Sequence, residues 1–161
     1  MIQRLIFAMI DYYAGDPKRI QHFLKVHSFA KLIGQREGLD GSALRTLEAA
    51  AVVHDIGIKI AEQKFNSSAG KYQEQEGVQP AYDMLTALGF DIGCVQRVCY
   101  LVGHHHTYDA VDGSDYQILI EADFLVNLYE DGASEAAVRA AYEKIFRTQA
   151  GKQLCRTIFS I

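Results

Sequence analysis

Only two prolines and three cysteines occur in the 161 residues, and there is no run of basic residues. So few prolines leave long segments free to stay helical. Cys94, Cys99 and Cys155 form no C-x-x-C pair. An odd number of thiols with mostly apolar neighbours predicts reduced, partly buried cysteines and argues against a disulfide framework. A net charge of −4 without a basic tail argues against a nucleic-acid polymer as partner. No apolar stretch is long enough to span a bilayer. "MIQRLIFAMIDYY" is interrupted by Asp11 and has no clear cleavage site, so the expectation is a cytoplasmic protein with no membrane partner. Strand pairs with a hairpin signal, internal repeats and linkers are also missing. Residues 1–161 are therefore expected to form one all-α domain. With 49% apolar residues, it can bury a core without disulfides or a structural metal.

The 3.6-residue periodicity places the helices. A first one is predicted over 2–13. Asp16-Pro17 opens a second, which runs to about Glu37 and stops at Gly38. Asp40 or Ser42 opens a third through Leu44, Leu47, Ala51 and His54, closed by Gly57. Residues 60–72, "IAEQKFNSSAGKY", are polar with a Ser-Ser-Ala-Gly tract and read as a loop or lid. A helix follows through "EGVQPAYDMLTALG", kinked or started by Pro80. Asp91 caps a helix to about Val102, and "GHHHTYDAVDGSD" is a loop. Asp115 is expected to cap "YQILIEADFLVNLYE", and Ser134 to cap "EAAVRAAYEKIF". A last helix is expected over about 149–159.

Several polar residues fall on apolar faces. His27 lies three residues after Leu24. His54 follows Ala51 by three and Leu47 by seven, and Asp55 stands beside it where the run "AAAVV" breaks. Asp123 is set in "ILIEADFLVNL". A buried carboxylate needs a partner. A shared cation would provide one, and pairing with Arg97 or Arg139 is the alternative. Adjacent residues on a helix diverge by about 100°, so His54 and Asp55 reach one ion only beside a helix end, where Gly57 lets the chain turn.

The ordered set of His27, His54-Asp55 and Asp123 resembles the HD-domain superfamily of metal-dependent phosphohydrolases. "KVHSFAKLIGQREGLD", "LEAAAVVHDIG", "EGVQPAYDMLTALGF", "VCYLVGHHHTY" and "LIEADFLVNL" are similar to successive stretches of that family, in the same order and over nearly the whole chain. The resemblance implies an HD-type helical bundle with His27, His54, Asp55 and Asp123 as metal ligands. It also implies one divalent ion, drawn from Mn, Fe, Co, Ni, Zn or Mg, which would activate a water for attack on phosphorus.

The chain departs from the family pattern in places. Gln73 stands where many two-metal members have a histidine, and Glu74 and Glu76 read as surface charges, so one ion is favoured over two. In the run 104–106, helical spacing points His104 and His105 toward the apolar side. They are the expected catalytic histidines beside Asp55, with His106 as a substrate contact. Lys59, one place later than the family's lysine, and Lys71 in "SSAGKY" are the expected phosphate contacts. The implied reaction is hydrolysis of a small phosphate ester, with nucleotides among the candidates. The alternatives are a dinuclear-iron oxygenase, which needs more ligands than this chain plainly offers, and a nucleotide-binding module without turnover, which an intact ligand set argues against.

Overall fold

A computed structural model describes residues 1–161 as nine helices and no strands. They are α1 (Ile2–Tyr12), α2 (Pro17–Arg36), α3 (Gly41–Val53), α4 (Ile58–Phe65), α5 (Gly70–Ala87), α6 (Ile92–Val102), α7 (Ser114–Glu130), α8 (Glu135–Ile145) and α9 (Gln149–Phe159). None is long and apolar enough to cross a membrane.

Local chemistry sets most of the boundaries. The Asp16 carboxylate accepts from the Arg19 amide with Pro17 in the first turn, and Asp40 accepts from the amides of Ser42 and Ala43. Asp91, Ser134 and Thr148 cap α6, α8 and α9 in the same way. Each side-chain oxygen satisfies an amide that has no partner within its own helix.

Packing centres on α3. Ala49, Ala50, Ala51, Val52 and Val53 are all fully buried, and α1, α2, α6 and α7 pack around this helix. The small alanines let several helices approach one segment. Each buried valine contributes roughly 1.5–3 kcal/mol of hydrophobic stabilisation. The site-bearing segments of α2, α3 and α7 are thereby held by one continuous core.

The segment 60–72 is not a loop. Residues through Phe65 belong to α4, and only 66–69 are irregular before α5 starts at Gly70. Pro80 lies inside α5 and neither starts nor ends it. The buried stripe of α5 is Gln73, Gly77, Ala81 and Leu85, at four-residue steps. Its first members are an amide and a glycine, so hydropathy alone does not show it. Asp115 also differs from expectation. Gly113 precedes α7, and Asp115 sits in the first turn, where its carboxylate takes the Arg97 guanidinium.

The turn after α3 touches α5 directly. A Cβ on Gly57 would overlap the Gln73 carbonyl oxygen and lie 2.7 Å from the Gly77 amide nitrogen. Both obstacles are backbone, which cannot rotate away. Gly57→Ala is expected to lower stability by about 2–3 kcal/mol, as overpacking at a rigid contact does. Denaturant unfolding measures this. A midpoint equal to that of the parent would show that α4 and α5 can move apart.

Candidate metal centre

Four side chains from three helices meet at the end of α3. His22 comes from α2, His54 closes α3, Asp55 follows in the turn, and Asp123 comes from α7. The apolar run of α3 ends on His54 and Asp55 because this is where α3 meets α2 and α7. His54 is 0% exposed and Asp123 6% exposed.

The Nε2 of His22 lies 3.3 Å from His54 Nε2, 3.4 Å from Asp55 Oδ2 and 3.2 Å from Asp123 Oδ1. His54 Nε2 lies 3.4 Å from Asp55 Oδ2 and 3.5 Å from Asp123 Oδ1. Bonds of about 2.1 Å to one ion would set neighbouring ligand atoms about 3.0 Å apart at right angles and about 3.4 Å apart at tetrahedral angles. The observed separations match ligands around one cation.

Hydrogen bonding fixes the ring orientations. Nδ1 of His22 donates to Glu130 Oε2, and Nδ1 of His54 donates to the Ala51 carbonyl, each over 2.9 Å. Each ring therefore turns Nε2 inward, as metal-binding histidines do when an outer acceptor fixes the tautomer. Asp123 Oδ1 is buried and accepts no aligned hydrogen bond. Inward lone pairs facing carboxylate oxygens repel unless a cation lies between them, so these four residues fit a divalent ion.

Without an ion, protons supply the positive charge. Burial by itself would lower the pKa of His22 and of His54. The Asp123 and Asp55 carboxylates outweigh it and raise both, His54 strongly. Burial would likewise raise Asp55 and Asp123. The imidazoles, His54 foremost at Asp55 and His22 foremost at Asp123, hold both carboxyls below their ordinary value.

A pH dependence follows for the metal-stripped protein. A histidine whose pKa is higher folded than unfolded contributes stability that is fully present below about 6.5 and is lost as pH rises through the raised value. The depressed carboxylates lose theirs only in acid. Thermal midpoints of the stripped protein are expected to fall as pH rises above about 6.5 and through the raised histidine values, and a bound divalent ion should remove that slope, because metal displaces these protons. A flat profile without metal would contradict it.

A second donor group adjoins the first and comprises Asp55, His105 and His106. His105 is 2% exposed, its Nδ1 donates to the Val102 carbonyl, and its Nε2 lies 3.4 Å from Asp55 Oδ1 with no hydrogen-bond partner. Asp55 thus turns one oxygen toward each group. The fourth side of the second group is Gln73. Its amide donates to the Ser68 carbonyl and its Oε1 accepts from His106 Nε2 at 3.1 Å. Burial, then His105, lowers the His106 pKa to about 4, so this ring is neutral at pH 7. The loop carrying both histidines is pinned. Glu74 accepts from the His106 amide, and the Tyr116 hydroxyl reaches the carbonyls of His104 and Thr107.

The structure does not bring His27 to the centre. Its Nε2 pairs with Glu48 Oε1 at 2.9 Å, farther back along α3. His22 takes the place expected for it. The signal lay in the spacing of His22, Val26, Ala30 and Ile33, all buried on one face of α2. His104 is likewise not at the centre. Its ring stacks on Tyr100, with Nδ1 bonded to the Tyr100 carbonyl, because the helix end turns it outward. Lys59 donates to the Tyr12 carbonyl, and Lys71 lies over the Tyr72 ring; neither lines the cavity in front of the centre. Asp123 pairs with neither arginine considered for it. Arg97 holds Asp112 and Asp115, and Arg139 holds Glu135.

That cavity has a volume of about 300 Å³. His22, Asp55, Asp123 and His106 form its floor, and Lys18 and Arg19 stand on its wall. Residues 19–139, about three quarters of the chain, match the family model described as HD domain. Comparison with curated proteins and with solved structures gives no match.

Proposed function

We propose that this chain, which belongs to the HD-domain family of metal-dependent hydrolases, hydrolyses a small phosphate ester at the centre formed by His22, His54, Asp55 and Asp123. The observation that carries the reading is the buried set of inward-facing donors, with Asp123 Oδ1 left without a hydrogen-bond partner. A divalent ion held there would acidify a bound water and neutralise charge on the phosphoryl oxygens.

Around it the chain's own residues have separable tasks. Glu130 and the Ala51 carbonyl hold the two rings in the tautomer that turns Nε2 inward. Asp55 joins the two donor groups through its two oxygens. His105 belongs with the donors, since its Nε2 faces Asp55 and not the cavity. His106 lines the cavity and, being neutral at pH 7, is suited to hydrogen-bond the ester. One ion is the favoured stoichiometry, because Gln73 commits its amide to Ser68 and His106 and adds no strong ligand to the second group.

The test uses metal-stripped protein reloaded with Mn, Fe, Co, Ni, Zn or Mg and assayed on phosphomonoesters and phosphodiesters. Hydrolysis should return in step with about one bound ion per chain. Full metal loading without turnover of any ester would favour a binding module. Oxygen consumption with two irons bound would favour the oxygenase.

A further inference from the structure

We propose that the substrate is a small hydroxyl-bearing phosphate monoester, a sugar or polyol phosphate, and not a nucleotide; this rests on the hydrolase reading above and specifies the occupant of the same site. Of the twelve residues that line the cavity, Ile58 alone is hydrophobic. Small-molecule pockets are ordinarily lined by apolar and aromatic side chains with a few polar ones. This cavity reverses that proportion.

The helices set out its walls in layers. Asp123 and Asn127 on α7 and Asp131 at its C-cap follow at four-residue steps and line one side. Each step advances about 6 Å along the axis. On α2, Lys18 and Arg19 stand one turn before His22 and line the other side. A phosphoryl group at the floor therefore places the rest of the molecule between an amide and a carboxylate on one wall and two cations on the other. The side chains of Lys18, Asn127 and Asp131 make no hydrogen bond or ion pair within the chain, whereas Arg19 is held by Asp16 and Glu62 and Glu130 by Lys25 and His22. Half-buried Asn127 and exposed Lys18, each one turn from the floor, and exposed Asp131 a turn farther out suit a ligand with several hydroxyls, each of which both donates and accepts.

A nucleobase would need a flat apolar face, and aromatic stacking supplies roughly 1–3 kcal/mol per base where proteins use it. No Phe, Tyr or Trp lines the cavity. Tyr108 reaches its edge only through its hydroxyl, 3.5 Å from His106 Nδ1, and its ring meets Phe124 edge to face at 5.4 Å. The base would instead meet the amide of Asn127 and the carboxylate of Asp131, with no aromatic face of Phe, Tyr or Trp to stack on.

The experiment measures kcat/KM of the metal-loaded protein on glycerol phosphate, hexose phosphates, nucleoside 5′-monophosphates and p-nitrophenyl phosphate. The hydroxylated esters should exceed the nucleotides by at least about tenfold. Asn127→Leu, similar in size, should lower the ratio of glycerol phosphate to p-nitrophenyl phosphate kcat/KM by about tenfold, mainly through KM. Nucleotides turned over as well or better would overturn the assignment, as would an Asn127→Leu effect equal on both esters. Calorimetric binding of glycerol phosphate and of adenosine 5′-monophosphate separates this inference from the hydrolase reading. If no ester is hydrolysed, that reading fails. Tighter binding of glycerol phosphate then sustains the selectivity, and equal or tighter nucleotide binding overturns it.

Discussion

Asp55→Asn is expected to release the metal and lower ester hydrolysis by at least about 10³-fold while the helices stay intact. Removing even an outer-shell partner typically costs 10–100-fold in metal affinity or activity, and Asp55 lies inside that shell. One of its oxygens faces His22 and His54 and the other faces His105, so a single carboxylate serves both donor groups. An amide of the same size keeps the shape and loses the charge. The turn itself does not depend on that side chain. The Tyr13 hydroxyl donates to the Asp55 carbonyl at 2.7 Å, and the Tyr12 hydroxyl to the Ile56 carbonyl at 3.2 Å, so the end of α1 pins the backbone at the substituted residue and just after it. The buried imidazoles are not stranded either. Without Asp55 they can release their protons and become neutral. Metal content by elemental analysis, turnover, and far-ultraviolet circular dichroism on one preparation make the check. Retained metal with retained turnover would remove Asp55 from the centre, and lost helicity would assign it a structural task.

Much of the helical framework was legible because it is written in short-range chemistry. Asp16-Pro17, Asp40, Asp91 and Ser134 announce helix starts through interactions that span three residues, and the structure uses all of them as caps. The misread segment is the one whose burial depends on a distant partner. α5 presents Gln73 and Gly77 to the turn at Gly57, and a glycine-on-glycine contact has no hydropathy signature. The site divides in the same way. His54, Asp55 and Asp123 stand out because each interrupts an apolar run. His22 sits among "KRIQHFLK", where polar neighbours hide it, and His27 looks better placed on a stripe drawn through Ile20, Phe23, Leu24 and Ala30. The longer pattern through Ile33 distinguishes them. The loop that carries the histidine run is also held from outside the run, by Glu74 at the His106 amide and by Tyr116 at the carbonyls of His104 and Thr107, and spacing within the run does not show these contacts.

The two histidines of α2 give the sharpest separation of roles. His22→Gln is expected to weaken metal binding by at least about 100-fold and to take hydrolysis down with it, whereas His27→Gln should keep both. Positions five apart on a helix diverge by about 140°, so the two rings cannot serve one ion from a straight helix. His22 Nε2 lies within 3.5 Å of three inward donors. The Nε2 of His27 is bonded to Glu48, which also takes Lys31 at 3.0 Å. Glu48 precedes His54 by six residues, or about 9 Å along α3. Removing the His27 imidazole leaves a largely buried carboxylate with one partner fewer, so the cost should appear as about 1–3 kcal/mol of unfolding free energy. Removing His22 takes an inward nitrogen from between two carboxylates and strips Glu130 of one of its two cationic partners, yet Lys25 remains at 2.6 Å to hold Glu130. The folded state should therefore persist in both variants, and titration with a chromophoric chelator should read the affinities directly. If His27→Gln loses the metal while His22→Gln retains it, α2 must be rotated about its axis from the position that turns His22 inward, and the ligand set would be His27, His54, Asp55 and Asp123.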